Sequence, residues 1–314
     1  MTFVLVLVAA GEEQLPGLGG LPEDVRVETV SDEAQLRKLL PEADVLVVTD
    51  FRTGLLERCW PVNPKLRWVH ATSAGVDALM FPALVDSAIA ITNARGLFDR
   101  GIAEYVLGAV LLFAKDTLGN LALQRRQQWQ HRDTEMARGT RALIVGAGSI
   151  GGEVACLLRA VGMRVTGIAR APREDERFEQ VLGNDRLFEC LAESDYVVIT
   201  APLTPDTEGL FDQRAFAVMK RGARLINVGR GPIVRTDDLL AALRGGEIAG
   251  AALDVFEEEP LSPDHPLWEE PNVMISAHMA GDFKGWKQAL GEQFVANYHG
   301  WIQGKALFNQ VKKG

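Results

Sequence analysis

The chain has 314 residues, which suits about two domains at roughly 150 residues each and leaves room for a sizeable core. Hydrophobic residues make up 47% and charged residues 24%, too apolar a mixture for a disordered chain. A net charge of −9, with no long Lys/Arg block, argues against a nucleic-acid or anionic-membrane partner.

The opening "MTFVLVLVAAGEE" lacks the basic start of a secretory signal and reads as a buried first strand. No apolar run approaches the ~20 residues that span a bilayer. Cys59, Cys156 and Cys190 lie far apart and in no CxxC arrangement, against a disulfide framework or a zinc knuckle. A reducing cytoplasm fits that pattern best. No pair of histidines has metal-ligand spacing, so no metal is expected.

Short apolar runs then alternate with longer amphipathic ones: "FVLVLVAA", "VRVETV", the helical "DEAQLRKLL", "ADVLVVT", "LRWVHAT" and "IAITN". This is the rhythm of a parallel α/β sheet. One long helical stretch, "GIAEYVLGAVLLFAKDTLGNLALQRRQQW", leads into a second series with six expected strands: "RALIVG", "MRVTGIA", "DYVVITAP", "ARLINVG", "GAALDVF" and "NVMISAH". Six strands complete a doubly wound sheet. The closing "WKQALGEQFVANYHGWI" repeats apolar residues at helical spacing and has no strand to follow it, so it is expected to return to the first unit. The division expected is 1–97 with 283–314, and 98–282.

"LIVGAGSIGGEVACLLRAVG" holds Gly146, Gly148 and Gly151 as G-x-G-x-x-G between a strand and a helix. Such glycines serve a tight turn, close approach of a diphosphate and close helix–strand packing. The helix N-terminus, at Ser149 and Ile150, then offers unpaired N–H groups to the phosphates. Dinucleotide binding is expected.

Later strands end in "NVGRGPIV", "ALDVFEEEPL" and "SAHMAG". In open α/β sheets ligands bind beyond the carboxyl ends of the strands, which brings Arg230, one of the three glutamates and His278 towards one crevice. Each alone has a plainer reading: a surface arginine, a solvated acidic loop, a hydrogen-bonded histidine.

Together with "SAGVD", "GAGSIG" and "APLTPDT", these motifs make the chain resemble the D-isomer-specific 2-hydroxyacid dehydrogenases, in particular their glyoxylate/hydroxypyruvate reductase-like members. The resemblance spans nearly the whole chain. It implies two doubly wound parallel-sheet domains, a Rossmann dinucleotide-binding domain and a flavodoxin-like substrate domain, in a homodimer. It implies a catalytic set of Arg230, Glu259 and His278, and a substrate carboxylate held by the backbone of Ala74, Gly75 and Val76. Cofactor contacts are implied at Pro202, Thr207 and Asp254, the last against the nicotinamide carboxamide or else as a buried structural aspartate. Asn93 and Glu104 fall at frequent family positions and are expected to be structural or supporting. His131, His265 and His299 read as structural or exposed. His70, just before SAGVD, is a candidate to border the pocket.

The chemistry accounts for those residue types. A 2-keto acid presents a carboxylate and a carbonyl to the planar fork of Arg230, while a protonated His278 gives its proton to the carbonyl oxygen and Glu259 favours the imidazolium. Where an NAD site carries an acidic residue about 20 residues beyond the glycines, this chain has Ala169, followed by Arg170 and Arg173. NADP(H) is therefore the preferred cofactor, with NAD(H) still open: the arginines form a solvated loop in that reading, and Glu174 or Asp175 folds back to the ribose. Phe51 or Arg52 in "TDFRTG" is a candidate for the pocket mouth, Arg52 favouring a second anionic group on the substrate or else standing in solvent. Met279 and Trp286 are further candidates for shaping specificity. Rival readings are a phosphoglycerate dehydrogenase-like enzyme and a dehydrogenase-like nucleotide-sensing protein.

Overall fold

The computed structural model describes residues 1–49, 54–62 and 64–313, and the chain divides into two units, Met1–Phe98 with Phe283–Gly314, and Asp99–Asp282. Phe51 and Arg52 lie outside the described residues.

The first unit is built from β1 (Phe3–Leu7), β2 (Arg26–Val30), α1 (Glu33–Leu39), β3 (Val45–Val48), α2 (Leu55–Arg58), β4 (Trp68–Ala71), α3 (Pro82–Val85) and β5 (Ala90–Thr92). Its five strands are parallel in the order β2-β1-β3-β4-β5. Strands buried on both faces read as continuous apolar runs, and β1 and β3 have no exposed residue.

The second unit begins with α4 (Asp99–Ala114) and α5 (Thr117–Arg125), then runs through β6 (Arg141–Val145), α6 (Ser149–Ala160), β7 (Arg164–Ala169), β8 (Gln180–Gly183), α7 (Leu187–Glu193) and β9 (Tyr196–Ile199). It continues with α8 (Gln213–Val218), β10 (Arg224–Asn227), α9 (Thr236–Gly245), β11 (Gly250–Leu253) and β12 (Val273–Ile275). Its seven strands are parallel in the order β12-β11-β10-β9-β6-β7-β8. The strand order reverses between β6 and β9, the switch point at which such sheets take up a dinucleotide.

The chain closes with α10 (Trp286–Ile302) in the first unit, where Leu290, Phe294 and Tyr298 pack with Val4, Val6, Val45 and Trp68 on one face of the sheet. The other face packs on α1, α2 and α3 through Leu36, Leu56 and Leu84.

Two elements differ from the sequence reading. The second sheet has a seventh strand, β8, where Val181 pairs in register with Gly167 at the sheet edge within a short run of only two apolar residues, Val181 and Leu182. The long helical stretch is two helices bent by 62°, since Asp116 adopts a left-handed φ of 47° and its side chain accepts a hydrogen bond from the Gly119 N–H as the cap of α5. No single helix among the described residues is long and apolar enough to cross a membrane.

Candidate active site

The glycine turn between β6 and α6 shows three distinct geometries. Gly146 has φ +109°, and a Cβ there would come within 2.5 Å of the Ala201 N, so the turn lies directly against the end of β9. A Cβ on Gly151 would collide with the Gly146 carbonyl and press on Ile144, which makes this the point of close helix–strand contact. A Cβ on Gly148 would meet nothing within 4 Å, so it opens onto free space beside the helix end. The backbone N–H groups of Ser149, Ile150 and Gly151 have no partner among the described residues, the usual state of a helix N-terminus that receives an anion. The Ser149 hydroxyl donates to Asp99 at the start of α4.

Ala169 ends β7 and is followed by the exposed Arg170, which makes no hydrogen bond or ion pair among the described residues. Arg173 turns back to donate to the Ala147 carbonyl inside the glycine turn. Asp175 accepts a two-pronged hydrogen bond from Arg177 at 2.8 and 2.7 Å, and Arg173 stands 3.7 Å from it. The Arg177 fork holds the Asp175 carboxyl below its ordinary range. That carboxylate is thus committed to arginines. In the loop after β9, the Thr207 hydroxyl donates to the Pro202 carbonyl at 2.7 Å and accepts from the Thr204 N–H at 2.8 Å, closing "PLTPDT" on itself.

The strands β10, β11 and β12 are neighbours, and Arg230, Glu259 and His278 follow their carboxyl ends. Asn227, the last residue of β10 and 1% exposed, donates to the Arg230 carbonyl at 3.1 Å and accepts from the Gly229 N–H at 3.1 Å. A Cβ on Gly231 would overlap the Phe256 carbonyl, so only glycine lets the arginine turn approach the chain beyond β11. The Arg230 guanidinium donates to the Gly229 carbonyl at 2.8 Å.

Of the three consecutive glutamates, Glu259 is the one that reaches the histidine: its Oε2 is 2.8 Å from His278 Nδ1, and its Oε1 accepts from the Phe256 N–H at 3.1 Å. Glu257 accepts instead from the Thr236 N–H at 2.9 Å, and Glu258 is exposed. The pair is partly shielded, with 26% of the His278 side chain and 17% of the Glu259 side chain exposed. A carboxylate on Nδ1 fixes the proton there and orients the ring, leaving Nε2 as the proton-exchanging nitrogen.

His278 itself has φ +53°, a left-handed conformation that costs a non-glycine residue roughly 1–2 kcal/mol. Asp254 holds it there. Its carbonyl accepts from the His278 N–H at 2.8 Å, and its carboxylate accepts from the N–H groups of Met279 and Ala280, each at 2.9 Å. Asp254 is 2% exposed and also accepts from the Ser276 hydroxyl at 2.5 Å. Among the described residues every partner of its carboxylate belongs to the histidine turn, the arrangement of a buried aspartate that orders that turn.

In the first unit, the "SAGVD" turn after β4 has its carbonyls tied back. The Asn93 side chain donates to the Ala74 carbonyl at 2.6 Å, and the Ser73 hydroxyl donates to the Gly75 carbonyl at 2.6 Å. Among the described residues no partner takes the N–H groups of Ala74, Gly75 and Val76, which leaves three successive donors for an anion. Glu104 is exposed and pairs with Arg100 at 2.8 Å. His70 is not at a surface: it is fully buried between the first sheet and α10, with its ring 5.4 Å from that of Phe294. No group of three His, Cys, Asp or Glu side chains among the described residues is placed to hold a metal ion.

A family model for the NAD-binding domain of the D-isomer specific 2-hydroxyacid dehydrogenases matches residues 107–280. The chain belongs to the D-isomer specific 2-hydroxyacid dehydrogenase family. It is 34% identical to a glyoxylate reductase of Aeropyrum pernix over 80% of this chain and 77% of that protein. It is also 34% identical to a glyoxylate/hydroxypyruvate reductase A of Serratia proteamaculans, over 74% of this chain and 76% of that one. Among solved structures, an NADPH-dependent glyoxylate/hydroxypyruvate reductase of Sinorhizobium meliloti, in complex with NADP and sulfate, superposes with a TM-score of 0.88 at 29% identity, covering 100% of this chain and 99% of that one. Asn227 and Ser276 stand inside the motifs "NVGRGPIV" and "SAHMAG", which assign them no role, and Tyr105 lies in no motif.

Proposed function

We propose that the protein reduces a small 2-keto acid of the glyoxylate or hydroxypyruvate type to the D-2-hydroxy acid with NADPH. The observation that carries this reading is the His278–Glu259 pair at 2.8 Å, set beside the Arg230 turn at the carboxyl ends of adjacent strands. Bound NADPH supplies the hydride. His278, protonated on Nε2 and with Glu259 on Nδ1, gives its proton to the substrate's carbonyl oxygen and takes it back in the reverse direction. Arg230 holds and polarises the carboxylate and carbonyl through its fork. Among the described residues nothing takes the N–H groups of Ala74, Gly75 and Val76, which suits the role the family gives that turn, binding the substrate carboxylate.

The residues fit the cofactor. Gly148 leaves open space beside the unpaired N–H groups of Ser149, Ile150 and Gly151, which accommodates a diphosphate. Ala169 offers no charge to repel a 2′-phosphate, Arg170 stands exposed next to it, and Arg173 already points at the glycine turn. Both Asp175 carboxylate oxygens are engaged by Arg177, which supports the reading in which Asp175 does not serve the ribose. Gly146, Pro202 and Thr207 shape the surrounding loops. The NADPH-dependent Sinorhizobium meliloti relative, solved in complex with NADP, supports the same preference.

A homodimer belongs to this reading. Trp129 is fully exposed, and Leu111, Leu121 and Met136 add apolar surface along the same stretch.

The test is a panel of 2-keto acids offered with NADPH or NADH, with chiral analysis of the product. NADPH oxidation with glyoxylate and hydroxypyruvate, and D-glycerate from the latter, is expected. Tight NADPH binding with no turnover of any 2-keto acid would instead favour a nucleotide-sensing protein.

A further inference from the structure

Tyr105 lies in α4, far in sequence from the histidine turn, yet its hydroxyl oxygen is 2.7 Å from the Ser276 hydroxyl oxygen just beyond β12. A hydroxyl has one proton to give. Ser276 gives its proton to Asp254 Oδ1 at 2.5 Å, so the Tyr105 hydroxyl is the donor to Ser276. The donors therefore run in one direction, from Tyr105 to Ser276 to Asp254. Asp254 in turn collects the three successive N–H groups of residues 278, 279 and 280 on its carbonyl and carboxylate.

We infer that Tyr105 is a positioning residue for the reaction, keeping His278 in its left-handed conformation through Ser276 and Asp254. The inference rests on the role given to His278 above. Burial, together with the charge of Asp254, pushes the Tyr105 hydroxyl up to about 12, so it keeps its proton and remains a donor across the neutral range. Removing that donor leaves the Ser276 oxygen without the hydrogen bond it accepts, the one that backs its own donation to Asp254. Asp254 then loses part of the network that fixes its buried carboxylate against the histidine turn. The glycine turn and the Arg170–Arg173 loop are untouched, so the penalty falls on proton transfer and spares cofactor binding.

The experiment compares Tyr105→Phe, Ser276→Ala, Ser276→Thr and the double variant Tyr105→Phe/Ser276→Ala in the full chain. Tyr105→Phe keeps the ring and is expected to lower kcat about three- to tenfold, the rate equivalent of one lost hydrogen bond, with KM for NADPH within about twofold. Ser276→Ala should lose at least as much, the double variant no more than Ser276→Ala, and Ser276→Thr should retain activity because its hydroxyl preserves the link. Hydrogen exchange at the Met279 and Ala280 amides gives a second readout that needs no turnover: faster in Tyr105→Phe and Ser276→Ala, and at the wild-type rate in Ser276→Thr. Wild-type kcat with unchanged exchange in Tyr105→Phe would overturn the inference, as would losses that multiply in the double variant. Should Tyr105→Phe not fold, Ser276→Ala against Ser276→Thr decides. If the wild type reduces no 2-keto acid, the functional reading fails while the exchange measurement still decides whether Tyr105 orders the turn.

Discussion

Replacing His70 by Phe should flatten the acid sensitivity of the fold. His70 is fully buried on β4, its Nδ1 is 2.8 Å from the Thr92 hydroxyl oxygen, and its Nε2 has no hydrogen-bond partner among the described residues. Burial lowers its pKa from 6.5 to about 3, so the folded protein keeps the ring neutral where the unfolded chain takes up a proton. The unfolded state binds more protons between those two values, so stability is fully present above pH 6.5 and is lost progressively as the pH falls towards 3. At about 1.36 kcal/mol per pH unit, lowering the pH to about 5 removes about 2 kcal/mol through this one residue. The assay is urea unfolding of wild type and His70→Phe at about pH 7.5 and about pH 5, the acid-induced loss in the wild type exceeding that in the variant by about 2 kcal/mol. Trp68, whose ring is 6.0 Å from that of His70, gives a fluorescence signal from the same core. Equal losses in the two proteins would mean that His70 titrates normally in the folded state, and the burial argument would be wrong.

The other expectations concern the site and the assembly. Arg230→Lys keeps the charge but loses the fork, and kcat/KM for the keto acid should fall at least tenfold, about 1.4 kcal/mol of transition-state stabilisation; wild-type kinetics would remove the bidentate contact. Ala169→Asp combined with Arg170→Ala should reverse or largely erase the preference for NADPH over NADH in kcat/KM, and unchanged selectivity would show that the basic loop answers only to water. Light scattering at micromolar concentration should give twice the 34.3 kDa mass of one chain, and the monomer mass would contradict the dimer.

Much of the α/β pattern was legible because strands buried on both faces carry near-continuous Val, Leu and Ile runs, as in β1, β3 and β9. β8 was not, since four residues at a sheet edge with one deeply buried valine leave no periodic signal. The break between α4 and α5 was hidden for a different reason: no Gly or Pro stands at Lys115–Asp116, and the left-handed Asp116 is known only from the backbone. At the site, ordered motifs marked Arg230, Glu259 and His278, and the packing separates Glu259 from Glu257 and Glu258. Tyr105 was invisible because its partner is distant in sequence: it meets Ser276 only once α4 lies beside the end of β12.

His278→Ala tests the proposed mechanism most directly, with NADPH affinity and keto-acid turnover measured on the same preparation. The dissociation constant for NADPH should be unchanged, because the glycine turn and the arginine loop are intact, while kcat for hydroxypyruvate or glyoxylate should fall by about 10²–10⁴-fold, the usual contribution of a positioned acid. A variant that turns over at nearly the wild-type rate would take His278 out of the mechanism and contradict the reading of the site.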